Sequence, residues 1–545
     1  MSRIVFRNGT IWTGTAAGCT DALLVADGVV EAVGAEAVAH AGTADEVDLD
    51  GRFLMPSFGD GHAHPLLGGL EAVGPPVRPC SSVDEIVDAV GSFAAAHPDQ
   101  EWILGASYDS SLAPDGLFDA RWLDAAVPDR PVVLRAWDYH TVWCNTVALD
   151  RAGITPETPD PVLGEIPHRA DGSVLGTLRE WGAVDLVNAV IPERDEDTRI
   201  AALGTAADYY LARGVTWVQD AWVEPADVDT YLAAARRDAL RVRFNLALYA
   251  DPRHIDSQLD GFAESMRRVE ELGSPLLTAN TVKFFADGVV ENETGALLTP
   301  YCSGLHKHPG QDPDNNGMRV WEGQTLAEAA QRVDALGLQI HIHAIGDAAV
   351  RQALDAIEHV VATNGPRDRR PVIAHAQLVD DADIGRFAQL GVIPNMQPLW
   401  AQQDALMTVL TVPRLGPERS DKQYRLRTLD QSGAPLAFGS DWPVSSGAPL
   451  DGIAVAVSRQ TVEGDPEGGW TPAEILASER ALHAYTAGVA AQAFAEGAWG
   501  RIVPGASADL VLLDRDPRDT PPLQIPSIRV RGTYLRGKLG YSSAS

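Results

Sequence analysis

Two textures of hydrophobic and polar positions divide this chain. In residues 1–56, the runs RIVFRNGTIWTG, DALLVADGVVEAVG and Val47 to Leu54 alternate like short strands, with Gly and Asp marking the turns. The segment 496–545 has the same texture in ASADLVLLDRDP and SIRVRGTYLRGKLG, which predicts a small β-sandwich built from both chain ends. Between them, in 57–495, apolar β-rich runs such as GVTWVQD, TVKFFADG, LQIHIHAIGD, RPVIAHAQL and PLAFGSDWPV alternate with helical stretches, for example Gln324 to Leu336. This alternation predicts a parallel sheet covered by helices. An open doubly wound sheet would satisfy the pattern, but charged residues fall at or near the C-terminal ends of the runs, which favours a closed (β/α)8 barrel. The stretch of about 75–192 is rich in Pro, Trp and Asp and poorly periodic, and reads as an insertion after the first barrel strand, where insertions shape substrate pockets.

Composition narrows the class. A chain of 545 residues exceeds the size at which one hydrophobic core stops growing, so a large domain with a smaller companion is expected. The net charge of -32 argues against nucleic acid or an anionic membrane as partner and reads as a solvated acidic surface. Four cysteines, Cys19, Cys80, Cys144 and Cys302, form no CxxC pair, so neither a disulfide framework nor a cysteine zinc site is suggested and a reducing compartment fits. The start MSRIVFRNGTIWTG lacks the apolar core of a signal peptide, and a cytoplasmic protein with a small-molecule substrate is expected. Association into homo-oligomers, common among barrels of this size, stays open.

The strongest local chemistry is Gly61-His62-Ala63-His64-Pro65, directly after the apolar run FLMPSF. Residues two apart in an extended segment face the same side, so both imidazoles can reach one cation, and imidazole suits zinc. Two ligands are too few. His343, near the end of LQIHIHAIGD, and His375, at the end of an apolar run, add two more; His341, one layer deeper, reads as a buried hydrogen-bonded histidine that supports a ligand. Asp441, ending the strand of Phe438-Gly439-Ser440, could bind the metal and accept the proton of a metal-bound water. Lys283 is an unusual residue inside an apolar run: it either snorkels to the surface, acts as a neutral base, or combines with carbon dioxide to give a carbamate whose oxygens bridge two cations. Tyr108, Asp109, Trp137, Tyr139, His140 and Trp442 are candidate substrate contacts forming an aromatic pocket, or else packing between insertion and barrel.

Taken together, MPSFGDGHAHP, RPVVLRAWDYHTVWCNTVALD, TVKFFADGVVENETGALLTPY, IHAIGDAAV, IAHAQLVD, AFGSDWPV and GRIVPGASADLVLLDRDP resemble the amidohydrolase superfamily, and within it the branch that includes the N-substituted formamide deformylases. The resemblance implies a TIM-like barrel and one or two divalent metals, Zn2+ by ligand type, at its mouth. It further implies that His62, His64 and Asp441 hold one metal and His343 and His375 a second, with a carbamylated Lys283 between them. Two departures bear on substrate. Tyr139 stands where the branch often has Gly, so a phenol is expected to crowd the pocket beside His140, and Trp400 follows Gln397-Pro398-Leu399 where relatives often have His. The activity implied is attack of metal-bound hydroxide on an amide-type C–N bond, as in an N-substituted formamide. The rivals are a cyclic amide, an amidine or an N-acyl amino acid on the same centre, and a barrel scaffold that has lost its ligands.

Overall fold

The computed structural model describes residues 3–302 and 314–543. Eight parallel strands form the central sheet: β1 (Phe58–Ala63), β2 (Val215–Val223), β3 (Arg243–Tyr249), β4 (Leu277–Phe285), β5 (Gln339–Ala344), β6 (Val372–His375), β7 (Ile393–Met396) and β8 (Ala437–Phe438). Each pairs with its sequence neighbour, and the barrel closes through Asp441 N–H donating to His62 O and His64 N–H donating to Trp442 O, both at 2.7 Å. β1 and β5 are buried at every position, as strands covered on both faces must be. The helices present matching apolar stripes. In Thr325–Ala335 the buried Leu326, Ala329, Ala330 and Val333 fall at the i, i+3, i+4, i+7 spacing of one helical face.

Below the mouth the barrel interior is polar as well as packed. Asn245 donates to Gln219 and Thr281 at 2.7 and 2.8 Å, and Thr281 donates to Gln339 at 2.9 Å. On the opposite side Asn395 donates to Gln492 at 2.7 Å, and Gln492 donates to Gly61 O at 2.7 Å. Satisfied in this way, buried amides specify one arrangement of strands without the desolvation cost that unpaired ones would carry.

The expected sandwich of the chain ends takes the form of one eight-stranded sheet curled onto itself. Leu510–Leu513 pairs antiparallel with Phe53–Pro56, which is how the two ends of the sequence meet. Curling brings Phe6 against Tyr534, ring centroids 5.3 Å apart, and the Arg243–Asp509 ion pair fastens this sheet to the barrel. The insertion carries a separate four-stranded sheet, Ile103–Tyr108, Val132–Ala136, Thr141–Cys144 and Thr177–Arg179, around its own core of Tyr108, Phe118 and Trp143. Its tight turn between Val132–Ala136 and Thr141–Cys144 carries Trp137 to His140 over the barrel mouth.

Two glycines distinguish close packing from open space. A Cβ on Gly61 would overlap the Asn395 amide and sit 2.9 Å from both Gln492 Oε1 and Phe438 O, whereas one on Gly204, inside the helix Glu196–Leu211, would meet nothing within 4 Å. Gly61→Ala is therefore expected to destabilise the protein by about 2 kcal/mol, and Gly204→Ala to stabilise it by roughly 0.5–1 kcal/mol. Thermal denaturation of the two variants beside the parent checks both signs.

Candidate metal centre

Parallel strands of one barrel end at one rim, and the candidate ligands converge there for that reason. His62 Nε2 and His64 Nε2 lie 3.4 and 2.9 Å from Asp441 Oδ1, and one ligand atom from each of the three lies within 4.8 Å of the others. Two ligands sharing a tetrahedral zinc stand about 3.3 Å apart, so this spacing suits a common cation. Asp441 Oδ1 is buried and faces the two imidazole nitrogens. Burial raises the Asp441 carboxyl, but the two imidazoles against it outweigh this and hold it well below the ordinary carboxylate range.

The remaining histidines extend the cluster. The His375 ring centroid is 4.7 Å from that of His62 and 4.6 Å from that of His343. Burial is the main cause that holds His62, His341 and His343 neutral well below the usual imidazole value and brings His375 down to about 3. A neutral imidazole keeps a lone pair, which is the form that ligates. In three of them a partner takes the other ring nitrogen: His62 Nδ1 meets His341 Nε2 at 2.8 Å, His375 Nδ1 meets Gln397 Oε1 at 2.8 Å, and His343 Nε2 meets Gly288 O at 3.1 Å. His62 Nε2, His375 Nε2 and His343 Nδ1 remain as ligand atoms. The donor set of imidazoles and a carboxylate fits zinc or a similar divalent cation.

Strand register explains the two layers. Lys283 pairs with His341 and Phe285 with His343, so Lys283 and His341 sit one layer beneath the rim. Lys283 does not snorkel. It is fully buried, with Nζ 3.5 Å from His62 Nε2 and 4.5 Å from the Phe285 ring centroid, and burial brings its ammonium down to about 7. At the rim His375 and Asp441 hold left-handed backbones, φ 72 and 58, a strained choice for His that clusters at functional sites.

The six aromatic and polar contacts expected at the substrate separate. Trp137 and His140 line a cavity of about 270 Å³ against the histidines. Tyr108 is instead buried in the insertion core between Phe118 and Trp143, and Asp109 caps a short helix by accepting from Ser111 N at 2.8 Å. Trp442 stacks on Tyr209, centroids 4.4 Å apart. The phenol of Tyr139 does not crowd the pocket: its backbone is left-handed, φ 59, and its hydroxyl donates to Glu71 at 3.2 Å. Trp400 stacks flat on His375, ring centroids 5.3 Å apart.

Sequence reading missed several residues that hold the site. Glu180 is buried and stands 2.8 Å from His140 Nδ1; burial alone would lower His140, but the charge and hydrogen bond of Glu180 raise it above the ordinary value. Asp60 accepts from Ser440 N at 2.8 Å, and Asp287 accepts from the backbone N–H groups of Ile345, Gly346 and Ala296. Asp60 lies two residues before His62 inside the same motif, a signal that was available; Glu180 carried none.

A family model described as the amidohydrolase family matches residues 45–541. The chain is 32% identical to Protein LONG AFTER FAR-RED 3 of Arabidopsis thaliana, over 99% of this chain and 91% of that one. It is 28% identical to an N-substituted formamide deformylase of Arthrobacter pascens, over 96% and 95% of the respective chains. A solved metal-dependent hydrolase from Pyrococcus furiosus superposes with a TM-score of 0.72 at 27% identity, covering 95% of this chain and all of that one.

A cation shared by buried ligands binds the folded chain alone and stabilises it by mass action, about 2.7 kcal/mol at one hundred times Kd. Treatment with a strong chelator is expected to lower the melting temperature, and added Zn2+ to restore it. His62→Ala combined with His64→Ala should abolish that response. Elemental analysis of purified protein checks the stoichiometry.

Proposed function

This chain belongs to the amidohydrolase family and is a metal-dependent hydrolase of C–N bonds, and from that premise we propose that it cleaves a compact amide such as an N-substituted formamide. The observation that carries the reading is the meeting of His62, His64 and Asp441 at the barrel mouth, beside His343 and His375 and under a small cavity. A divalent cation, Zn2+ by its ligand chemistry, supplies Lewis acidity there: it lowers the pKa of a water and polarises a carbonyl oxygen.

The chain's own groups supply the rest. Asp441 takes the proton of the attacking water and hands it to the departing amine, which leaves poorly unless protonated. His140, whose proton the neighbouring Glu180 holds more firmly than water would, faces the cavity and donates to the developing oxyanion, where a preorganised donor counts most. Trp137 and Trp400 narrow the mouth and exclude solvent. Lys283, drawn toward neutrality by burial, would combine with carbon dioxide with loss of a proton, and the carbamate oxygens would add to the donor set of the histidines and Asp441. The scaffold alternative predicts missing or dispersed ligands, and the convergence of these side chains speaks against it. Four unpaired cysteines and a strongly acidic surface support a cytoplasmic setting.

The test is amine release from a panel of N-substituted formamides, N-acyl amino acids and cyclic amides by the metal-loaded protein; failure on every member would sink the proposal. Asp441→Asn is expected to lower kcat by roughly 10²–10⁴, and near-full activity would remove Asp441 from its role. Glu180→Gln withdraws the charge that raises His140, so His140 loses its proton at lower pH. Since its protonated form is the useful one, the alkaline limb of the kcat profile should move to lower pH. An unmoved limb would leave Glu180 a purely structural part.

A further inference from the structure

The charges around the reaction cavity separate amide substrates that the metal centre would treat alike. Its volume of about 270 Å³ lies at the small end for ligand pockets, and Trp137, Trp400, Leu406 and Met407 form an apolar wall. Beyond the metal ligands, three carboxylates also line it: Asp138, Glu291 and Asp404. Asp138 is occupied by the N–H groups of His140 and Thr141 and by the Thr141 hydroxyl. Glu291 accepts from Thr411, Asp404 accepts from Met407 N at 2.9 Å, and neither joins an ion pair among the described residues.

Cations that could answer a substrate carboxylate are already committed. Arg78 is the one guanidinium among the described lining residues, which include no lysine. It donates to Glu71 at 2.7 and 2.9 Å and to Pro443 O. His140 is held by Glu180, and Arg414, whose charge reaches Glu291, stands 3.6 Å from Glu293. The cavity shares Leu399, Gln402 and Asp404 with an outer groove whose other charged lining residues are Asp451, Glu463 and Asp465, so no cation lines that groove among the described residues.

We infer that the amine half of the substrate is a compact apolar or aromatic group that bears no carboxylate, and that Glu291 and Asp404 are the specificity-determining residues that turn an acid away. A carboxylate seated there would find no uncommitted cation among the described lining side chains and would lie beside two further carboxyl groups. An aromatic group instead packs on the tryptophans and Met407. The ammonium that departs after cleavage leaves along a wall of opposite sign. This rests on the amide-cleaving reading above and, within it, separates formamides and other neutral amides from N-acyl amino acids.

The experiment compares two compounds that differ only in a carboxylate, N-benzylformamide and N-formylphenylglycine, on the metal-loaded enzyme, by amine release and by equilibrium binding read from tryptophan fluorescence. The neutral compound is expected to lead in kcat/KM and in affinity by on the order of 100-fold. In Glu291→Gln and Asp404→Asn, which keep the contacts to Thr411 and Met407, the ratio measured within each preparation should narrow roughly 10-fold. An acid that binds or turns over as well as the neutral compound, or a ratio unchanged in both variants, overturns the inference. If neither compound is cleaved, the hydrolytic reading of these compounds fails, while the binding preference still decides this one.

Discussion

Everything at the mouth of this barrel follows from burying several imidazoles around one carboxylate in a space with little water. Burial moves His62, His343 and His375 toward the neutral form whose lone pairs can ligate, and the Asp441 carboxyl is held below the ordinary carboxylate range. A cluster of lone pairs and a buried anion is costly unless a cation joins it. The same arrangement that would be unfavourable in an empty site is what gives a divalent ion its grip. The partners behind the ligands, His341, Gln397 and Gly288 O, set which nitrogen each imidazole presents.

Barrel and insertion divide the work. Strand ends deliver the clustered histidines and Asp441, with Lys283 one layer below and an amide network beneath that. The insertion adds what the barrel lacks: Trp137 and His140 on a hairpin turn and Glu180 just after the edge strand Thr177–Arg179, its N–H bonded to His140 O at 2.8 Å. Trp137 and His140 wall one side of the cavity above the rim. The converging histidines and Asp441 therefore come from the strand ends, and the remaining cavity walls come largely from the loops above them.

Periodicity and motif order made the barrel, the pairing of the chain ends and the side chains that converge at the rim legible, because each depends on local spacing: two residues along a strand, or the last residue of an apolar run. His341 was legible as a supporting histidine for the same reason, one strand layer from His343. The substrate contacts were harder to read. Tyr108, Tyr139 and Trp442 look alike in composition, yet they turn to an insertion core, to Glu71 and to Tyr209 respectively. Glu180 gave no sign at all, since its partner is 40 positions away.

The amino-acid order by itself determined which residues could ligate and which strands would carry them, since both are matters of side-chain type and of alternation along the backbone. Only the tertiary structure decided which atoms meet. Orientation at a turn depends on a single backbone angle, such as the left-handed φ of Tyr139, Glu180 or Asp441, and on contacts between segments hundreds of residues apart, neither of which leaves a periodic trace.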